Sequence, residues 1–294
     1  SLRVELELGG TGRAARVKAS VSPRLNLLAG NRTFEELILP PAQKGLLKKL
    51  CAMIAAREDV MEQWGFGEKF SYGNGLSLLF YGAPGTGKTM AAQVMANELG
   101  TPLYRVDLSQ LISKYIGETQ KNIGRIFDEA DRCGCILLFD EADAIFAKRS
   151  DVSDAQDRYS NAETAYLLQR IEQYGGVSIL ATNLLQNFDD AFRRRISYMV
   201  HFPLPDAELR TQLWEGIFPE HTPVSREVDC RMLAQAFELS GASVKNAAMH
   251  AALLAMAEGA PVRMRHILDG VQNEYGKQGK SFSPSQKELM DAFL

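Results

Sequence analysis

The feature that most constrains this chain is Gly82-Ala83-Pro84-Gly85-Thr86-Gly87-Lys88-Thr89, set between an apolar run, Leu76 to Phe80, and a helix-forming run, Met90 to Leu99. Its spacing is G-x-x-x-x-G-K-[ST]. A strand that turns through glycines into a helix is the opening unit of a parallel α/β sheet. The turn also carries chemistry. Glycines let the backbone wrap closely around a polyphosphate, and successive N–H groups together with the helix N-terminus form an anion cradle. Pro84, Gly85, Thr86, Gly87 and Met90 are expected to line that cradle. Lys88 is expected to reach the β- and γ-phosphates, and the Thr89 hydroxyl to ligate Mg²⁺. The pattern implies a chain that binds a nucleoside triphosphate.

A chain of 294 residues is long enough for two domains, or for one large domain with a smaller appendage. A net charge of −3 gives no general attraction for nucleic acid or an anionic membrane, so neither is expected as a partner. The four cysteines, Cys51, Cys133, Cys135 and Cys230, lack zinc-ligand spacing and read as free thiols in a reducing compartment. No signal segment and no membrane-span-length apolar run is legible, so a cytoplasmic location is expected. The first residue is Ser1 rather than Met, which leads us to expect further sequence upstream.

Residues 1–30 read as an N-terminal hairpin and linker, with strand-like alternation over Leu2–Leu8 and Ala15–Val21 and a linker over Pro23–Asn31. Residues 31–205 alternate helices and short apolar strands, the signature of a parallel sheet. Helices are expected near Ala42–Trp64, Thr86–Leu99, Ile116–Cys133, Arg158–Glu172 and Asp189–Arg194. Strands are expected near Leu76–Tyr81, Pro102–Asp107, Cys135–Asp140, Val177–Ala181 and Ser197–Phe202. Residues 206–279 read as all-helical, with helices near Ala207–Phe218, Arg226–Phe237, Ser243–Ala257 and Met264–Tyr275. Residues 280–294 form a tail whose apolar residues are expected to dock on the same domain.

Four further patterns bear on chemistry. Ile136-Leu137-Leu138-Phe139 is a fully buried type of strand that delivers Asp140 and Glu141 to its C-terminal edge, where ligands sit in open α/β sheets. There Asp140 can hold Mg²⁺ through a water, and Glu141 can orient or deprotonate an attacking water. Val177–Ala181 is followed by Thr182-Asn183, which places a neutral amide at the same edge; Asn is also an ordinary strand-ending turn residue. Arg193-Arg194-Arg195 stand at a helix end, where they favour the helix dipole or offer a guanidinium to a neighbouring subunit's γ-phosphate. Lys114-Tyr115-Ile116-Gly117 follows the second strand, and either packs locally or projects an aromatic that grips an extended polypeptide.

Together these residues resemble the AAA+ ATPases, specifically the classical AAA clade that includes FtsH, the valosin-containing protein, katanin and spastin. The resemblance runs from Phe34 to about Tyr275. It makes Gly82–Thr89 similar to Walker A, Ile136–Glu141 to Walker B and Asn183 to sensor 1. Asp189–Arg195 resembles the segment that carries arginine fingers, which falls on Arg194 and Arg195, with Arg193 as a further candidate one position earlier, and Lys114–Gly117 resembles pore loop 1. Ile38 and Leu39 fall where the clade packs on adenine, and Leu239-Ser240-Gly241-Ala242-Ser243 resembles the start of a lid helix. An Arg-x-Gly-Arg-Phe-Asp stretch is replaced here by Arg193-Arg194-Arg195-Ile196-Ser197, and no His-Glu-x-x-His follows within these residues, so an FtsH-type protease is not expected.

Trp64–Gly67, Ser113–Thr119, Tyr166–Arg170 and Glu274–Lys277 are similar to bacterial AAA ATPases encoded with contractile injection systems. The resemblance implies Mg²⁺-dependent ATP hydrolysis by a homo-oligomer, a hexamer when ATP-bound, acting on a polypeptide or a particle component. A nucleotide-gated scaffold and a DNA-dependent motor are the alternatives.

Overall fold

The computed structural model describes residues 25–69, 75–107, 118–143, 155–188 and 190–293. The hairpin expected over Leu2–Val21 lies outside them, as does Lys114–Gly117. In chain order the first elements are β1 (Leu25–Leu27), α1 (Pro41–Ala55), α2 (Arg57–Glu62), α3 (Phe66–Lys69), β2 (Leu76–Gly82), α4 (Lys88–Glu98) and β3 (Leu103–Val106). Then follow α5 (Glu118–Cys133), β4 (Ile136–Phe139), α6 (Ala155–Gln173), β5 (Val177–Thr182), α7 (Asp190–Arg193) and β6 (Tyr198–Phe202). Helices α8 (Ala207–Gly216), α9 (Cys230–Ala236), α10 (Gly241–Ala257), α11 (Met264–Lys277) and α12 (Pro284–Phe293) complete the chain.

The strands form one sheet in the order β1-β3-β4-β5-β2-β6. All pairs are parallel except β1 with β3. This is the expected α/β architecture, a parallel-sheet domain followed by helices. The apolar runs are continuous because both faces are covered, yet their period of two is still visible in where each side chain goes. Leu79, Leu137, Phe139 and Leu180 enter the core under α5 and α6. Leu78, Phe80, Leu138 and Ile179 enter the core under α1 and α4. Helix α5 buries Asn122, Ile123, Ile126, Phe127 and Ala130, the 3–4 spacing of a single helix face.

Several expectations are corrected. Leu25–Leu27, placed in a linker, is a strand on the sheet edge, with Leu25 opposite Val106. The single helix expected over Ala42–Trp64 is divided at Ala56, and Gly65, at φ 73°, separates α3 from α2. The helix expected from Arg226 starts at Cys230, because the Asp229 carboxylate caps it by accepting from the Met232 N–H at 2.9 Å. Ser225 is instead held in a bridge region, its N–H on the Val262 carbonyl.

Beyond Phe202 the sheet stops and α8 begins, with Asp206 accepting from the Leu209 N–H at 2.9 Å. Helices α8 to α12 enclose a separate core around Trp214, Phe237, Ile267 and Leu268. The tail helix α12 contributes Met290 to that core, and Gln286 donates to the Ala236 carbonyl. Among the described residues no helix is long and apolar enough to cross a membrane.

Candidate functional site

The strand order brings three separate sequence motifs to one edge. β5 lies between β2 and β4, with Tyr81 opposite Thr182 and Phe139 opposite Leu180. The residues that follow these strands therefore emerge side by side at the C-terminal ends. Backbone geometry shapes the first turn. Gly82 has φ 150° and pairs with Phe202 so closely that a Cβ would lie 2.1 Å from the Phe202 carbonyl oxygen. Gly87, at φ 99°, is the N-cap of α4 and supplies no capping side chain, so the first-turn amides of that helix face the glycine turn.

Lys88 is the first residue of α4 and is buried. Its ammonium donates to the carbonyls of Gly82 at 2.8 Å and Ala83 at 2.9 Å, and to Asn183 Oδ1 at 2.8 Å. Burial lowers its pKa from the ordinary lysine value, and the carboxylates of Asp140 and Asp143 oppose that shift. A triphosphate would offer this cation a stronger, charged set of acceptors than the carbonyls that now hold it. Thr86 is turned inward, its hydroxyl on the Ala83 carbonyl at 2.8 Å, which braces the turn.

Thr89 donates its hydroxyl to Asp140 Oδ2 at 3.1 Å. These two oxygens are hard donors of the kind Mg²⁺ takes, and their contact fits a site where a magnesium ion would be held between them. Glu141 follows with φ 53°, the one positive φ at a non-glycine residue among the described residues. Its N–H donates to Asp140 Oδ1 at 3.1 Å and its side chain is exposed. A left-handed backbone at a side-chain-bearing residue costs about 1–2 kcal/mol, and such strain clusters at functional positions.

Two contributors were missed in the sequence. Thr182 donates to Asp143 Oδ1 at 2.9 Å and accepts from the Leu184 N–H at 3.0 Å, so it fixes the backbone on either side of Asn183. The run Asp140-Glu141-Ala142-Asp143 carried a signal, a third acidic residue three positions after Asp140. The other contributor is α10. The Ala242 N–H donates to the Gly85 carbonyl at 3.1 Å, and a Cβ on Gly85 would lie 2.6 Å from Ser240 Oγ and 2.7 Å from Ala242 Cβ. The start of this helix therefore rests directly on the phosphate turn.

The remaining predicted residues divide. Leu39 is buried in the core under α1, which leaves no free surface for a base, whereas Ile38 is half-buried. Leu37 approaches the turn instead, with Cδ1 3.7 Å from where a Gly87 Cβ would stand. Pro84 is exposed and Met90 half-buried. Arg194 and Arg195 are not brought to this edge. The Arg195 carbonyl accepts from Ser77 Oγ, near the start of β2. From Ser77 to Gly82 a strand covers roughly 16 Å. Arg194 and Arg195 are thus at the opposite end of the sheet from their own phosphate turn. A cavity of about 440 Å³ also opens at that end, lined by Arg57, Asp131 and Tyr174, and shares no residue with the site.

A glycine turn that leads from a central strand into a helix, with Lys88, Thr89 and Asp140 converging on it, defines a P-loop nucleotide-binding domain. Residues 78–204 match the family described as ATPase family associated with various cellular activities (AAA). It is 40 % identical over 132 residues to an uncharacterized AAA family ATPase of Sinorhizobium fredii, covering 45 % of this chain and 40 % of that protein. It is 30 % identical over 219 residues to a proteasome-activating nucleotidase of Saccharolobus solfataricus, covering 71 % and 56 %. It is 33 % identical over 189 residues to a 26S proteasome regulatory subunit 4 homolog of Dictyostelium discoideum, covering 62 % and 43 %. The chain spans about half the length of the curated relatives it matches.

Proposed function

We propose that this chain hydrolyses ATP with Mg²⁺ in an oligomeric ring and uses the energy to remodel a polypeptide. The observation that carries this reading is the position of Arg194. Its side chain is exposed and, among the described residues, has no hydrogen bond or ion pair, yet it stands a strand's length from its own phosphate turn. A cation so placed is free to meet the site of a neighbouring copy.

The geometry supports the following roles. The amides of Gly85, Gly87 and the first turn of α4 hold the phosphates, and Lys88 exchanges its carbonyl acceptors for phosphate oxygens. Thr89 and Asp140 hold Mg²⁺, which supplies neutralisation of charge on the phosphate oxygens when bound. Glu141 takes a proton from, or orients, the attacking water, and the Asn183 amide helps to place that water without adding charge. Arg194 from a neighbouring copy stabilises charge that develops on the transferring phosphoryl group.

Relatives named for activating or regulating a proteasome support polypeptide as the substrate. The aromatic loop Lys114–Gly117 is proposed as the element that grips it. Four free cysteines support a reducing, cytoplasmic location. An association with a contractile injection system rests only on the sequence segments named for it.

Hydrolysis measured against protein concentration tests the shared site. Turnover per chain should rise as copies assemble, and Arg194→Ala should bind nucleotide but stay at the low-concentration rate. Full turnover in Arg194→Ala would remove the trans role. Tyr115→Ala should hydrolyse ATP while failing to unfold a test polypeptide.

A further inference from the structure

The three consecutive arginines have three different environments. The Arg194 side chain is exposed and unpaired among the described residues. Arg195 forms an ion pair with Glu172 at 3.4 Å, with both side chains substantially exposed. Arg193 turns back into the protein. Its Nη2 donates to the Leu185 carbonyl at 3.0 Å, its Nη1 lies 3.8 Å from Asp190, and its Nε is buried with no acceptor.

An unmatched buried N–H costs about 1–3 kcal/mol, so this arrangement is a poor way to stabilise a surface turn. It is a good way to fix one. Phe192 and Ile196 are both buried beside it, so the backbone between them is clamped while Arg194 stays outside. The acceptor is informative too. Leu185 opens the 3-10 turn just after Asn183, the residue that receives the Lys88 hydrogen bond. Leu184 is tied to Thr182, and Thr182 to Asp143. A continuous set of contacts thus runs from Lys88 through Asn183 and the Leu185 carbonyl to Arg193, next to Arg194.

We propose that Arg193 is a positioning residue, a strut from the Leu185 carbonyl that sets Arg194 for the neighbouring subunit's nucleotide and ties that setting to the Asn183 end of its own site. This rests on the shared-site reading above. Arg193 itself touches no nucleotide.

The test uses Arg193→Met, which keeps the apolar stem and removes the donors, under assembling conditions. Nucleotide affinity and KM should stay within about twofold while kcat falls on the order of tenfold, since small misplacements of a catalytic group have effects of that size or larger. Mixed with Glu141→Gln chains, whose own sites are inert but whose Arg193 and Arg194 are intact, the variant should regain turnover above either preparation alone. A loss of kcat that mixing does not restore would make Arg193 merely structural. In an Arg194→Ala background, Arg193→Met should add no further loss; an added tenfold loss would make it a direct contact and overturn the strut. Normal kcat in Arg193→Met with an inactive Arg194→Ala overturns the proposal and leaves the shared site standing. Should Arg193→Met fail to fold, Arg193→Lys retains one donor and is expected to show an intermediate kcat under the same mixing.

Discussion

The Lys88 ammonium and the Asn183 amide oxygen lie 2.8 Å apart, which joins the first residue of α4 to the end of β5. Ninety-five positions separate them in the chain. Their contact exists because β5 pairs with β2, so two strand ends that are distant in sequence become neighbours at one sheet edge. In the proposed reaction Asn183 is a neutral acceptor that Lys88 gives up when phosphate arrives. Asn183→Asp would put a full negative charge there, which holds Lys88 and repels phosphate. ATP affinity, measured by titration of a fluorescent analogue, should fall about tenfold or more. Asn183→Ala should spare affinity and lower kcat.

In the proposed reaction Glu141 handles the proton, and its side chain is exposed. Glu141→Gln keeps the size and the hydrogen-bonding reach but not the basicity. Nucleotide binding should be retained while turnover drops at least about a hundredfold, read in a phosphate-release assay. Turnover at the wild-type rate would take Glu141 out of the mechanism.

Gly85 and Ala242 couple the phosphate turn to the helical region. At φ 75°, with Ser240 Oγ and Ala242 Cβ crowding the missing side chain, Gly85→Ala should weaken nucleotide binding and displace α10. Ala242→Pro is the gentler probe. It removes the N–H that reaches the Gly85 carbonyl at a first-turn position where a helix tolerates proline. The rise in melting temperature produced by ADP should shrink for the helical region, while the variant itself stays folded by circular dichroism.

Arg195→Ala should be milder than Arg194→Ala. It breaks a partly exposed ion pair with Glu172, worth at most about 1 kcal/mol, and leaves the unpaired guanidinium in place. Melting temperature and assembly-dependent turnover measured on both variants separate them.

Burial pushes the Cys51 thiol up to about 11, and burial with the neighbouring Cys133 pushes Cys135 up to about 12. Both should resist iodoacetamide at pH 8 in the native protein and react in denaturant, as read by peptide mass mapping. The unfolded chain loses these protons near the ordinary thiol value, the native chain only near 11 and 12. In that window the native state binds more protons, so its stability should fall as pH rises above about 9. Cys51→Ala should make the decline less steep in melts taken from about pH 8 to 11.

The strands β2, β4 and β5 were legible as apolar runs because burial on both faces removes any need for polar residues. The phosphate turn was legible because glycines are demanded locally by φ at Gly85 and Gly87, while Gly82 is further required by the Phe202 carbonyl of the neighbouring strand. Less legible was β1, three residues whose only reason to be a strand is the free edge of β3. Leu39 was expected at the nucleotide and is in the core, because alternation along an irregular segment does not say which face the next layer covers.

By itself the sequence determined the local chemistry: a glycine turn with Lys88 and Thr89, an apolar strand that ends in Asp140 and Glu141, and a run of arginines. Those are short-range facts, set by backbone sterics and by hydrophobic period. Only the tertiary structure decided which of them meet. Strand order places Asn183 on Lys88, and packing of the helical region rests the start of α10 on Gly85. Parallel pairing of β2 with β6 carries Arg194 to the far end of the sheet from its own phosphate turn. Packing, rather than position in the run, leaves Arg194 unpaired among the described residues while Arg193 and Arg195 find partners within the chain. Such differences come from contacts between residues far apart in sequence, where no local pattern records the partner.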